Sequence, residues 1–246
     1  GAAVTEDLRG TVDRANGLLT EIAALNGAVR ASNLQSGSDL SAQDRRDALL
    51  DELAGLAPIQ VQAQDDGTVT VKFSGMIGVE GTVAQGLRMV GPPEAPLPEI
   101  RAAGSDRPLS LSGTEGGQIG AQLVLLRRAL PETQAALDGL AADLVGRVND
   151  AHRRGVGLDG STDLDFFDPA GTTAATLRVS GLLPGADAIA SAATGGSPGD
   201  GRAAAEIAGL GESIQGAATR MLGRLGSSVR TALSAADANA AYADHA

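Results

Sequence analysis

The sequence contains no cysteine and no tryptophan. Three phenylalanines and one tyrosine (Phe73, Phe166, Phe167 and Tyr242) are the whole aromatic supply of 246 residues. Without thiols there are no disulfide scaffolds, zinc–thiolate centres or cysteine nucleophiles, although the compartment stays open. Lys72 is the only lysine, so the other 18 of 19 basic residues are arginine. A net charge of −11 with no basic run argues against a nucleic-acid or anionic-membrane partner. No apolar stretch approaches the ~18 residues of a membrane span. The opening "GAAVTEDLRG" has no basic region followed by an apolar run, so it is no signal peptide. Histidine is nearly absent too, with only His152 and His245.

What is abundant is alanine (45 residues) and glycine (34). Alanine favours close-packed helices, while glycine marks turns. The length fits one large domain or two small ones at the usual ~100–200 residues each. Any core must be aliphatic.

The hydrophobic period divides the chain into five stretches. Residues 1–56 read as two helices. In the first, Val12, Ala15, Leu18, Ile22, Leu25 and Val29 form a narrow seam, with Thr5 as N-cap. The second starts at "SAQD", with Ser41 and Asp44 as a capping box, and stops before Pro58. Residues 57–115 switch to a period of two. "IQVQAQ" at 59–64, the turn "DDG" and "TVTVKF" at 68–73 make a hairpin with Ile59, Val61, Val69, Val71 and Phe73 on one face. Short strands among Gly and Pro follow, with four prolines between 92 and 98, and the whole stretch is expected to project as an insertion. Residues 116–154 form a long helix with Pro131 inside it, where a kink is expected. Residues 155–200 are a Gly/Asp-rich loop with a short strand "TLRVS" at 176–180. Residues 201–246 are Ala-rich and are expected to form the C-terminal bundle helices. Helices of roughly 39 and 52 Å exceed or span a globule of about 45 Å diameter. The expected fold is α+β, mainly α: an elongated antiparallel helical bundle with inserted β-hairpin and β-meander segments.

Several short motifs invite chemistry. "GGSPG" at 195–199 matches the G-x-S-x-G of serine hydrolases around Ser197, but Pro198 lacks the N–H that an oxyanion hole needs there. "DGSTDLDFFD" gathers Asp159, Asp163, Asp165 and Asp168. Counted as a calcium loop from Asp159, Ser161 and Asp163 fit, yet position 6 is Leu164 and position 12 is Ala170. A solvated acidic turn fits better. "GTEGGQIG" at 113–120 lacks the P-loop lysine and reads as a β-to-helix turn. His152 sits at a helix end, where a cation suits the dipole, and His245 is next to the terminus. Arg45, Arg46 and Asp47 suit salt bridges or caps. The sequence therefore assigns no catalytic, cofactor-binding or metal-binding residue, and no enzyme. A hydrolase at Ser197, a metal-dependent activity at Asp159–Asp168 and a secreted helical adhesin are the competing classes.

Four stretches, in this order, resemble the FlgK family of bacterial flagellar hook-associated proteins. "VDRANGLLTEIAALNGAV" at 12–29 is similar to the family's N-x-L-L-x-x-I-A-x-L-N helix. "AQDRRDALLDELAGLAPIQVQAQDDGTVTVKFSG" at 42–75 resembles its D-x-R-D-x-L-L helix and D-G-x-V-x-V hairpin. The stretch 116–160 looks like its G-G-x-L-G-x-L entry, long helix and V-N-x-x-H-x-x-G exit, and "GDGRAAAEIAGL" at 199–210 echoes a G-D-N-x-N-A segment. Gly201 and Arg202 depart from the asparagines usual there. The family's terminal coiled segments are expected to be missing at both ends. The resemblance implies a mechanical adaptor at the hook–filament junction, exported without a cleaved signal peptide and located outside the cell. It also implies contacts with the hook protein and the adjacent junction protein FlgL, and a ring whose assembly needs the missing segments, so that the chain alone is a monomer.

Overall fold

The computed structural model describes residues 1–35, 39–91, 98–109, 117–194 and 199–243, without the side chains of 228, 229 and 231–243. The fold is α+β and mainly α. Two compact units form: Gly1–Leu130 with Ser228–Ala246, and Pro131–Ser227.

The first unit opens with α1 (Ala2–Leu34) and α2 (Leu40–Leu56). Helix α1 starts at Ala2, before the expected cap. The run Ala2–Ala3–Val4 extends it, and the Thr5 hydroxyl lies inside the first turn, donating to Gly1 O at 3.2 Å. The cap of α2 also moves. Asp39, not Ser41, takes that role by accepting from Ala42 N at 3.0 Å. The C-terminus of α2 falls where Pro58 requires it, because the residue before proline is pushed out of helical geometry. Ala57 is extended, φ −149° and ψ 153°.

Four strands form an antiparallel meander in sequence order: β1 (Gln60–Ala63), β2 (Val69–Phe73), β3 (Met76–Glu80) and β4 (Val83–Ala84). A separate hairpin pairs β5 (Leu87–Val90) with β6 (Glu99–Ala102). The β2–β3 link is Ser74–Gly75, both at positive φ (46° and 83°). That two-residue turn matches the right-handed twist of the flanking strands. Strand β2 is buried almost throughout, yet every residue of β1 is exposed. Val61 pairs with Val71 as the alternation implies, but β1 is the sheet edge and Val61 stays 46% exposed. The β stretch does not project as an independent insertion. Val69, Val71, Phe73, Val79, Leu87, Ile100 and Leu109 share one cluster with Leu8, Leu19 and Ile22 of α1, Leu53 of α2 and Ile119 of α3 (Gly117–Val124). With one buried phenylalanine, Phe73, neither the helices nor the strands have enough apolar bulk to close a core alone. Sharing it removes both faces from water at ~25 cal/mol per Å².

Helix α3 passes into a π-helical turn at Leu125–Ala129 and then α4 (Leu130–Arg153). Pro131 is the physical cause. Its ring has no N–H and crowds the carbonyl of residue 127 in an α-helix, and the wider π turn accommodates it, with Leu130 N–H bonded to Leu125 O.

In the second unit, α4 is followed by β7 (Gly155–Val156) and β8 (Ala192–Ala193), which pair, and by α5 (Arg202–Ala243), whose part up to Ser227 lies in this unit. The expected strand at 176–180 shrinks to a single bridge between Phe167 and Val179. Turns at Thr173–Leu177 on one side and Ser180–Leu183 on the other consume the backbone groups that would extend it. Gly155 permits the close approach of α5: a Cβ there would lie 2.6 Å from the Ala190 methyl and 2.9 Å from that of Ala203.

Candidate functional site

Each sequence motif that suggested chemistry has a structural use or falls outside the described residues. Ser197 and Pro198 lie outside them, as does His245. His152 is 2% exposed. Its Nδ1 lies 2.7 Å from Leu164 O and its Nε2 accepts Ala190 N–H at 3.0 Å. Both ring nitrogens are thus spent on holding loop backbone, and the ring packs 5.7 Å from Phe166, centroid to centroid.

The acidic loop is also engaged internally. Asp159 accepts from Ser161 N at 2.8 Å, Asp165 pairs with Arg153 at 2.6 Å, and Asp168 accepts from Ala170 N at 2.9 Å and from Arg178 at 2.5 Å. Hydrogen bonds from Ser161 hold the Asp159 carboxyl below the usual range. The Ala170 N–H, then Arg178, do the same for Asp168. Asp163 sits in the left-handed region, φ 56°. Among the described residues, no three His, Cys, Asp or Glu groups are placed to hold a metal ion. Gly117, the first described residue of the Gly-rich turn before α3, serves packing. Its φ is +58°, and a Cβ there would lie 2.7 Å from the Leu56 backbone. The Arg45–Glu21 pair at 3.5 Å joins α2 to α1. Arg46 is buried and donates to Gly67 O at 2.8 Å.

Three asparagines hold strand and loop backbone in place, and motif reading missed them. Asn16 donates to Leu87 O at 2.9 Å and accepts from Leu87 N at 2.6 Å. Asn26, fully buried, does the same to Val69 at 2.8 and 3.0 Å, and adds Gly81 O and Arg46. Asn149 grips Phe167 at 2.9 and 2.8 Å. Each side-chain amide thus acts as a one-residue strand, satisfying both backbone groups of the residue it meets. A signal existed for Asn26: it stands four residues after Ile22 and three before Val29, on the apolar seam, where an unpaired amide is costly.

The scaffold of two helices, meander, hairpin and long helix agrees with a known family. A family model described as the helical domain of the flagellar hook-associated protein FlgK matches residues 1–167. The chain belongs to this family. "Flagellar hook-associated protein 1" of Escherichia coli (strain K12) is 28% identical over 166 residues, covering 64% of this chain and 30% of that protein. Its Salmonella typhimurium (strain LT2) counterpart is 30% identical over the same shares. The solved structure of the flagellar hook junction protein FlgK from Burkholderia pseudomallei matches with a TM-score of 0.54 and 26% identity, over 68% of this chain and 31% of that one. The chain spans about a third of the length of these FlgK relatives. Among the described residues, no helix is long and apolar enough to cross a membrane. Asn16, Asn26 and Asn149 all fall inside the FlgK match, as does His152, whereas α5 lies beyond it.

Proposed function

We propose that the chain is a non-enzymatic, load-bearing part of the bacterial flagellum, seated between hook and filament. The observation that carries this reading is the FlgK helical-domain match over residues 1–167. The side chains that resembled catalytic groups support it, since His152 and the acidic loop are committed to backbone and arginine partners. The partners are the hook protein on one side and the junction protein FlgL on the other, with copies of the chain forming a ring between them. The location is extracellular, reached by flagellar export without a cleaved signal peptide.

The test is deletion of the gene in the organism that carries it, followed by swimming assays and immunogold labelling of isolated flagella. Loss of swimming, with label confined to the hook–filament boundary of the parent strain, is the expected result. Label spread over the cell surface, with swimming intact, would favour an adhesin instead. Returning the whole gene with Ser197→Ala should restore swimming fully, whereas a hydrolase that used this serine would fail.

A further inference from the structure

The β5–β6 hairpin sets Arg88 directly across from Arg101. Alternation turns Leu87, Ile100 and Ala102 into the core and leaves both arginines outward. Like charges in that relation repel. Arg107 is exposed in the turn that follows, and Arg127 reaches Pro98 O, beside β6, at 3.0 Å. Among the described residues two carboxylates stand against these four guanidiniums: Glu99, 2.7 Å from Arg101, and Asp106, which lies 3.2 Å from Arg88 and 3.8 Å from Arg101. Counted over the described residues, the patch keeps positive charge on a chain whose net charge is −11.

Helix α2 shows the reverse. Asp44, Asp47 and Asp51 fall at i, i+3 and i+7, so they form one exposed stripe about 10 Å long. Arg45 turns from this stripe to Glu21 on α1. Arg46 is buried, approaching Asp47 only to 3.6 Å. Carboxylates at this spacing also repel. No ion pair among the described residues joins the hairpin to α2 within one copy. Patch and stripe both belong to the first unit.

We propose that the arginine face of β5–β6 docks on the Asp44–Asp47–Asp51 stripe of a second copy of this chain. Each surface offers the other an excess of the opposite charge. Because the two surfaces are different places on the chain, the contact is head-to-tail and repeats, closing into a ring if the rotation allows. The ring reading above is what this contact deepens.

The absence of cysteine makes the test clean. Asp47→Cys and Arg88→Cys chains are mixed in equal amounts and oxidised at low salt. The mixed disulfide should rise above its statistical share, with the ratio of mixed to like disulfides increased about fivefold, the effect of two or three exposed ion pairs. It should return to that share in 1 M salt, where screening acts within about 3 Å. Adding Arg107→Glu to the Arg88→Cys chain should lower the excess, and Asp51→Arg on its partner should restore it. Circular dichroism of each variant confirms that it is folded. Statistical proportions at low salt would overturn the proposal. Rings isolated from flagella separate this failure from that of the ring itself. If copies link through other engineered cysteine pairs but not through 47 and 88, the ring stands and this surface falls. If no pair links copies, both fall.

Discussion

Replacing Asn26 by alanine removes four hydrogen bonds at once: two to Val69, one to Gly81 and one from Arg46. Both backbone groups of Val69 would lose these partners inside the core, which should cost about 3 kcal/mol. Urea unfolding followed by circular dichroism measures it, and a loss under about 1 kcal/mol would contradict the clasp. Acid should act on other residues. Thr68 lowers the Asp66 carboxyl through its hydroxyl and N–H, Ser161 lowers Asp159, and the Ala170 N–H with Arg178 lowers Asp168. A carboxyl lowered on folding adds stability above its unfolded value of about 3.9. That stability disappears as the pH falls through the folded value. Melting temperature should therefore drop below about pH 4, and less steeply in Asp168→Asn, as scans between pH 2.5 and 6 would show. The sequence disclosed the apolar half of this pattern, because burial follows spacing. It hid the clasps, because an asparagine's partner is a backbone group 43 or 71 residues away.

Elements were most legible where period and punctuation agreed, as at the hairpin 60–73 and the end of α2 before Pro58. They were least legible where two capping residues competed. Asp39 and Ser41 both suit an N-cap, and only the backbone shows which oxygen meets the Ala42 N–H. Asp39→Ala should cost about 1 kcal/mol and Ser41→Ala close to none. Equal losses in chemical denaturation would return the cap to Ser41. For the acidic loop, an ion at 100 times its dissociation constant would add ~2.7 kcal/mol. The carboxylates of Asp159, Asp165 and Asp168 are already engaged by Ser161, Arg153 and Arg178. Millimolar calcium should leave the melting temperature unchanged, and a rise of several degrees in a thermal scan would show a bound ion.

The two units have unequal cores. The first buries Phe73 together with leucines and isoleucines from α1, α2, α3 and the strands. The second buries Ala141, Ala151, Ala188, Ala190 and Ala203, with Val145 and Val148 as its largest aliphatic side chains below a tenth exposed. Burial contributes in proportion to apolar area, so the second unit should open first. Hydrogen exchange read by mass spectrometry should show lower protection at 141–151 than at 19–26, and urea should give two steps rather than one. A single transition with equal protection would mean that the units unfold as one. This asymmetry was not visible in the hydrophobic pattern, because the leucines of α5 and of the 155–190 loop count as apolar in sequence. Leu158, Leu182 and Leu222 are in fact 80%, 79% and 61% exposed.

The grips of Asn16 and Asn26 on β5 and β2 have a mechanical consequence. They stand ten residues apart on one rigid helix, about 15 Å along its axis. A shear that slides the strands by one helical turn would empty both grips together, with no neighbouring amide to catch either strand. The unit has no half-slipped register in which to rest. Pulled along α1 in an optical trap, it should hold its length and then rupture in one sharp step, as a latch does, instead of creeping under the load.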